Sequence, residues 1–271
     1  MKYRQNLHTH TTFCDGKDTP EELVEAAIAK GFDSIGFSGH SYMFYAPEHS
    51  MSISGTEQYR AEISRLKLKY AGIIDIYLGL EFDICSQVSL EGYDYIIGSV
   101  HYLRFGNEYV GFDRDAETVK NIIRRYFGGD GMAFAKEYYH TLAQLPRYGK
   151  FDVVGHFDLI TKHIEHERLF DTGSKEYIGY AIEAIDSISD KIPFYEVNTG
   201  AIARGYRTSP YPSAPLLKEL KARKCRLILT SDCHDKNRLD CEFDSALELL
   251  RNIGFREIYV LTKNGFDGIL L

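Results

Sequence analysis

Apolar and polar positions alternate along this chain between two periods. Short runs rich in β-branched and aromatic residues recur near residues 3–9, 33–39, 73–82, 93–101, 151–156, 193–198, 226–232 and 256–261. Most are followed by stretches with helical spacing, so the rhythm is strand then helix. The first helix has a readable start: Thr19 is the N-cap, Pro20 takes the first helical position, and Glu22 completes a capping box. Leu23, Ala26 and Ala27 then form an inward stripe, and Gly31 stops the helix. Phe134, Tyr138, Leu142 and Leu145 predict a second helical face between the fourth and fifth runs, and Ala246, Leu249 and Leu250 a third after the seventh. Seven or eight such units imply parallel strands with right-handed crossovers and helices outside. At 271 residues the expected α/β architecture is a distorted, TIM-like (β/α)7 barrel. Without an internal repeat, a low-complexity tract or a Pro/Gly/Ser linker, residues 1–271 read as one domain. An open doubly wound sheet would be the alternative, but neither G-x-G-x-x-G nor a phosphate-binding loop motif is present to support it.

The informative feature is where the polar residues fall. Almost every predicted strand ends in a group able to ligate a metal. The first ends at His8-Thr9-His10, with Asp15 shortly after, and the second at His40. Glu81 follows Leu78-Gly79-Leu80, His101 follows Gly98-Ser99-Val100, and His156 follows Val153-Val154-Gly155. Asp232 and His234 follow Leu229-Thr230-Ser231. In a barrel, the C-terminal ends of all the strands open onto one face, where active sites are built. Alternate strand residues point the same way, so His8 and His10 can grip one ion from one side. Six of the ten histidines belong to this set, and its nitrogen and oxygen donors suit zinc, iron or manganese. Nine donors exceed one coordination sphere, so two or three divalent ions are expected.

Taken singly, each residue has a plainer explanation. An isolated H-x-H is weak evidence, Glu81 or Asp232 alone could cap a helix, and His101 or His156 alone could be a hydrogen-bonded core histidine. Their joint placement at successive strand ends is what makes chance a poor account. His49, His140, His163 and His166 end no strand and are read as structural or solvated.

With those residues in view, the chain resembles the PHP (polymerase and histidinol phosphatase) superfamily along nearly its whole length. That family opens with a pattern like H-x-H-[ST]-x-x-S-D-G, matched here from His8 to Gly16. Gly36-Phe37-Ser38-Gly39-His40, Gly79-Leu80-Glu81, Gly98-Ser99-Val100-His101, Gly155-His156 and Ser231-Asp232-Cys233-His234 match further pieces. The resemblance implies a PHP-type distorted barrel carrying three metals. His8, His10, Glu81 and Asp232 would hold the first, and Glu81 would bridge to a second held by His101 and His156. Asp15, His40 and His234 would hold the third. Two positions depart from the pattern. Cys14 stands where serine is usual, and Gly39 where an acidic residue often precedes the histidine, which removes one possible hydrogen-bond partner for a ligand. Within the superfamily, the stretches Phe151–Lys162 and Glu196–Arg204, with Tyr211-Pro212 downstream, look like stand-alone histidinol phosphatases.

The resemblance therefore implies phosphate monoester hydrolysis, with L-histidinol phosphate the expected substrate and histidine biosynthesis the expected setting. Glu81 and Asp232 would be catalytic through the metals. Arg204, in the loop after the sixth strand, would be catalytic and substrate-binding, gripping phosphoryl oxygens in bidentate fashion; Lys162 is a second substrate-binding candidate. The acid that protonates the leaving alkoxide stays open between a metal-bound water and a ligand-side carboxyl such as Asp158. A PHP nuclease or nucleotide phosphoesterase is the alternative within the family. An amidohydrolase-like enzyme and a non-catalytic metal-binding domain are more distant alternatives.

Composition adjusts this picture only slightly. A hydrophobic content of 44%, charged content of 26% and formal charge of −7 describe an ordinary globular chain and argue against a nucleic-acid partner. A small phosphorylated substrate needs only a few local cations. No apolar run approaches the roughly 18 residues that span a bilayer, and no charged-then-apolar leader precedes Asn6, so no membrane association and a cytoplasmic location are expected. Five cysteines without a C-x-x-C pair make a disulfide framework or a cysteine zinc cluster improbable on spacing alone.

Overall fold

The structure, a computed structural model, describes residues 3–271. Its strands are β1 (Gln5–Asn6), β2 (Ser34–Phe37), β3 (Asp75–Asp83), β4 (Tyr95–Ser99), β5 (Tyr102–Phe105), β6 (Glu108–Gly111), β7 (Val153–Val154), β8 (Phe194–Asn198), β9 (Arg226–Thr230), β10 (Glu257–Thr262) and β11 (Gly265–Leu270). The helices are α1 (Pro20–Ala29), α2 (Ile53–Lys69), α3 (Ala116–Phe127), α4 (Gly131–Leu142), α5 (Lys175–Ile188), α6 (Gly200–Ala203), α7 (Ala214–Ala222) and α8 (Phe243–Ile253). Seven strands pair in the order β1-β2-β3-β4-β7-β8-β9, every pair parallel. The ring closes beyond the two terminal strands. Thr9 and Cys233 form a parallel bridge, with Cys233 N–H donating to His8 O at 2.9 Å and His10 N–H to Cys233 O at 2.8 Å. The expected seven-stranded barrel is therefore what forms.

Each long strand is buried on both faces, as parallel strands between a barrel interior and a helical layer must be. On β3, Ile76, Leu78, Leu80 and Phe82 face outward into the main core beneath the helices. Inside the barrel, Leu7, Tyr77, Tyr95, Ile97, Val153, Phe194 and Ile228 make a second apolar cluster at the N-terminal ends of the strands. The Tyr95 ring crosses this interior, and its hydroxyl donates to Leu7 O. Gly36 and Gly79 make room for it: a Cβ at either position would come within 2.4 Å and 2.2 Å of the Tyr95 side chain.

The capping box of α1 is present, with Thr19 Oγ1 accepting from Glu22 N–H at 3.3 Å and Glu22 Oε2 accepting from Thr19 N–H at 2.9 Å. Gly31 follows with φ +71°. Phe134, Tyr138, Leu142 and Leu145 are fully buried as read, whereas in α1 Val24 rather than Ala26 joins Leu23 and Ala27 inside. In α8 the buried stripe is Phe243, Ala246, Leu247 and Leu250, with Leu249 to one side.

The eighth apolar run is not an eighth barrel strand. β10 pairs antiparallel with β11, because closure between the ends of β1 and β9 leaves no parallel edge to join. The hairpin instead stoppers the N-terminal mouth. Leu261 enters the interior cluster, Phe266 stacks on Phe194 with ring centroids 4.2 Å apart, and Gln5 bonds both backbone groups of Leu261 at 2.7 and 2.8 Å. A second hairpin, β5–β6, rises from the opposite mouth directly after His101.

Candidate active site

At the C-terminal mouth, all nine residues singled out from sequence come together. His8 and His10 leave β1 on the same side, while Thr9 between them turns away and donates to Gly36 O at 2.7 Å. Glu81 is the central group and is completely buried. Its Oε2 lies 3.3 Å from His8 Nε2, 3.4 Å from His10 Nε2 and 2.9 Å from His40 Nδ1. Its Oε1 lies 2.9 Å from His156 Nε2 and 3.4 Å from His101 Nε2. Asp232 Oδ1 closes one side at 3.5 Å from His8 Nε2 and 3.2 Å from His10 Nε2. Asp15 closes the other, 3.6 Å from His40 Nε2 and 3.3 Å from His234 Nε2. Asp232 takes a left-handed backbone (φ 45°), which costs a non-glycine residue energy but which aspartate tolerates better than most.

Hydrogen bonding alone does not account for this cluster. His8 Nε2, His10 Nε2 and Glu81 Oε2 are buried and have no hydrogen-bond partner, an expensive condition for polar atoms. Donors bound at about 2.0–2.2 Å to one ion stand about 3.0–3.5 Å from each other, and the separations around His8, His10, Glu81 and Asp232 fall in that range. Three overlapping donor groups can be drawn: His8–His10–Asp232, His40–Glu81–His101, and His10–Asp15–His40–His234. The residues present fit divalent cations.

The charges of the cluster depend on one another: against the opposing effect of burial, the neighbouring carboxylates hold His8 and His40 well above the ordinary imidazole value and raise His101 to about 10. Burial works to raise the pKa of Glu81, but the imidazoles of His8, His40 and His101 outweigh it and hold the carboxyl well below its usual range. Asp232 is held down in the same way by Arg204 and His8. Burial together with neighbouring His234 and His40 pushes His10 down to about 3, so it is neutral and keeps a lone pair for a cation.

A model of the family described as the PHP domain matches residues 6–200. The chain belongs to the PHP family. It is 31% identical to the histidinol-phosphatase of Bacillus subtilis over 270 residues, covering 90% of this chain and 98% of that one. Among solved structures, a Listeria monocytogenes chain superposes with a TM-score of 0.76 at 22% identity, covering 89% of this chain and 99% of its own. The histidinol phosphate phosphatase of Lactococcus lactis, solved with zinc, L-histidinol and phosphate, superposes with a TM-score of 0.73 at 20% identity, covering 97% and 98%. Those two structures bear on the barrel; family membership sets aside the amidohydrolase-like alternative.

The PHP site has supports that were not singled out from sequence. Glu196 is fully buried on β8. Its Oε2 accepts from His8 Nδ1 and Thr230 Oγ1 at 2.8 and 2.9 Å. Its Oε1 accepts from His156 N–H and Asn198 Nδ2 at 2.5 and 2.8 Å. A carboxylate behind a histidine fixes the ring and its tautomer. Asp83 does the same for His101, accepting from its backbone N–H at 2.8 Å and lying 3.3 Å from Nδ1, while Tyr45 donates to its other oxygen at 2.9 Å. Both carried a sequence signal, a charge inside an apolar strand. The two departures from the family pattern turn out to be neighbours. A Cβ on Gly39 would sit 3.4 Å from Cys14 Sγ, which itself lies 3.5 Å from His10 Nδ1, so the thiol occupies the space beside the glycine.

Above the cluster lies a cavity of about 260 Å³ whose walls include Arg204, Lys162, Tyr206 and Asp113. Arg204 stands at the solvent-exposed edge of this cavity. Its side chain is 30% exposed and donates to Asp232 O and Oδ2, both at 2.9 Å, and points a third N–H at His234 Nδ1, 3.1 Å away. Lys162 lies over the Tyr206 ring. Asp158 is not on this cavity wall. It is fully buried, accepting from Ser213 N–H at 3.0 Å with Arg207 3.8 Å away, and is removed as a proton donor to the leaving group. Of the histidines read as structural, His49 does reach the cavity mouth, and the buried His163 packs behind Lys162, with Nε2 3.4 Å from Asp113 O.

Proposed function

We propose that this chain hydrolyses L-histidinol phosphate to L-histidinol and phosphate, using two to three divalent ions of zinc, iron or manganese. His8, His10, Glu81 and Asp232 hold one ion, and Glu81 shares a second with His101 and His156. Asp15, His40 and His234 hold the third. The observation that carries this reading is the set of buried, mutually facing and unpartnered donor atoms around Glu81, in a chain of the PHP family 31% identical to a histidinol-phosphatase. Bound there, such ions lower the pKa of water towards roughly 7 and neutralise phosphoryl charge.

The protein's own groups do the positioning. Arg204 faces the cavity with its guanidinium braced by Asp232, and its planar fork suits two phosphoryl oxygens at once. Lys162 supplies a second cation from the facing wall. Glu196 and Asp83 keep the His8 and His101 rings from rotating, so donor atoms stay aimed inward. Residues 1–271 act as one unit, cytoplasmic and without a nucleic-acid partner; no helix among the described residues is long and apolar enough to cross a membrane.

Element analysis of purified protein, followed by phosphate release from a panel of esters, tests the reading. About two to three ions per chain and highest kcat/KM on L-histidinol phosphate are expected. Less than one ion per chain after reloading, or a preference for nucleotides, would overturn it.

A further inference from the structure

We propose that Asp113 is the specificity residue for the substrate's amine: its carboxylate receives the ammonium group that lies next to the phosphate ester. The inference rests on the histidinol-phosphate reading above and goes beyond it by naming how this ester is told from others.

Three carboxylates line the cavity: Asp15, Asp113 and Asp232. Asp15 and Asp232 face imidazoles of the donor cluster, which leaves Asp113, whose partner is the cavity's own Lys162, as the one carboxylate outside that cluster among the described cavity residues. It is held still from both sides. Phe112 before it is buried, edge-on to Phe134 and Tyr138 at 6.0 and 5.5 Å, with its N–H bonded to His101 O at 3.3 Å. Asp115 after it caps α3, accepting from Thr118 N–H at 2.7 Å. A side chain on such a pedestal can discriminate, because little ordering is needed when ligand arrives.

The second argument is the order of charges. Asp113 Oδ2 stands 3.5 Å from Lys162 Nζ, a long contact with both groups on the cavity wall. Lys162 is also shared with the Tyr206 ring at 4.8 Å. L-Histidinol phosphate carries an ammonium on the carbon next to the one bearing its phosphate ester, so its anion and cation are adjacent too. Lys162 beside Asp113 is the complement of that pair, cation towards phosphate and anion towards ammonium. Lys162 and the clustered imidazoles His101, His156 and His40 offset the burial of Asp113 and hold its pKa below the usual value, so it is ionised when substrate arrives.

A competing account is that Asp113 only orients Lys162. A matched pair of esters separates the two: L-histidinol phosphate and its des-amino analogue, 3-(imidazol-4-yl)propyl phosphate. The wild-type protein should prefer the amine-bearing ester by about 10- to 100-fold in kcat/KM, the range that the loss of one partner for a polar group commands. In Asp113→Asn that preference should collapse to within about threefold, with metal content and melting temperature as in wild type. Asp113→Glu, which keeps the charge, should restore part of it. A preference that survives in Asp113→Asn overturns the proposal, as does an equal loss on both esters, the signature of action through Lys162. A wild type that hydrolyses both esters equally well overturns it while leaving the histidinol-phosphate reading intact. A wild type inactive on both overturns the reading, and the proposal with it.

Discussion

The two mouths of the barrel are built from the same strands by opposite rules. At the N-terminal mouth, Leu7, Tyr77, Tyr95, Ile97, Val153, Phe194, Ile228 and Leu261 fill the interior with apolar surface. At the C-terminal mouth, one or two turns of the pleat further on, the same inward faces of β3 and β8 carry Glu81, Asp83 and Glu196, and His8 joins them just past the end of β1. The inward face of β3 shows the change in one strand: Tyr77, then Gly79 under the Tyr95 ring, then Glu81, then Asp83. One end buries what water rejects. The other buries what water would welcome and leaves donors unpaired until a cation meets them. The stable end thus supports the strained one, and the two should respond differently to mutation.

The sharpest way to test that contrast is Glu81→Ala. Glu81 faces five of the six histidines of the cluster, so turnover should fall by more than about a thousandfold, roughly 4 kcal/mol of barrier. Melting temperature should not fall, since the buried apolar plug is untouched. Retained activity above about a tenth of wild type, or a collapsed fold, would break the division between the two ends.

Leu261→Ala is the mirror experiment. Truncating a buried leucine costs about 2–5 kcal/mol through lost burial and the cavity left behind. Urea or thermal unfolding should show that loss, while kcat on the folded protein stays close to wild type. A large drop in kcat with unchanged stability would mean that the hairpin belongs to the site rather than to the plug.

That hairpin also marks where sequence reading stops. The seven parallel strands were legible because each is a bounded apolar run, and the ligand set because polar residues terminate those runs. Residues 256–261 have the same local pattern as a barrel strand, and only the closure of Thr9 against Cys233, a contact between segments far apart in sequence, decides that they pair with 265–270 instead. The β5–β6 hairpin did carry a local signal, since Gly106 and Asn107 connect paired residues Phe105 and Glu108 and Gly-Asn is a two-residue turn sequence. It was hidden by directly following His101, which reads as the end of a strand. Arg204 and Lys162 were legible as candidates by loop position, but not that Arg204 would be braced on Asp232. Asp113 was not legible at all, because nothing in a loop sequence says that it overlooks a cavity.

Arg204→Ala should have a smaller effect than removing Glu81. Loss of a charge-assisted, partly desolvated contact to phosphoryl oxygens costs on the order of 2–4 kcal/mol, about thirty- to a thousandfold in kcat/KM. Arg204→Lys should recover only part, since an ammonium lacks the planar fork. Metal content of the fully loaded protein should be unchanged, since Arg204 is not itself a ligand. A variant with wild-type kcat/KM on every phosphate ester would confine Arg204 to bracing Asp232.

The smallest of these effects belongs to Glu196, which sits at the boundary between the two regimes. On one inward face of β8, Phe194 lies in the plug, Glu196 stands two residues above it, and Asn198 follows. Glu196 accepts four hydrogen bonds and donates none, so Glu196→Gln must turn an NH₂ towards either the His8 and Thr230 donors or the His156 and Asn198 donors. Whichever pair it faces, two donors lose their acceptor, and at least one imidazole or strand end is free to shift. Disturbing a group that orients a metal-binding histidine costs about 10- to 100-fold in metal affinity. Competition titrations of metal-stripped protein against a chelator should show that loss directly, independent of turnover. If affinity instead stayed within about threefold of wild type while unfolding free energy dropped, Glu196 would belong with Phe194 as part of the plug, and the boundary between the two ends would lie one pleat higher than drawn.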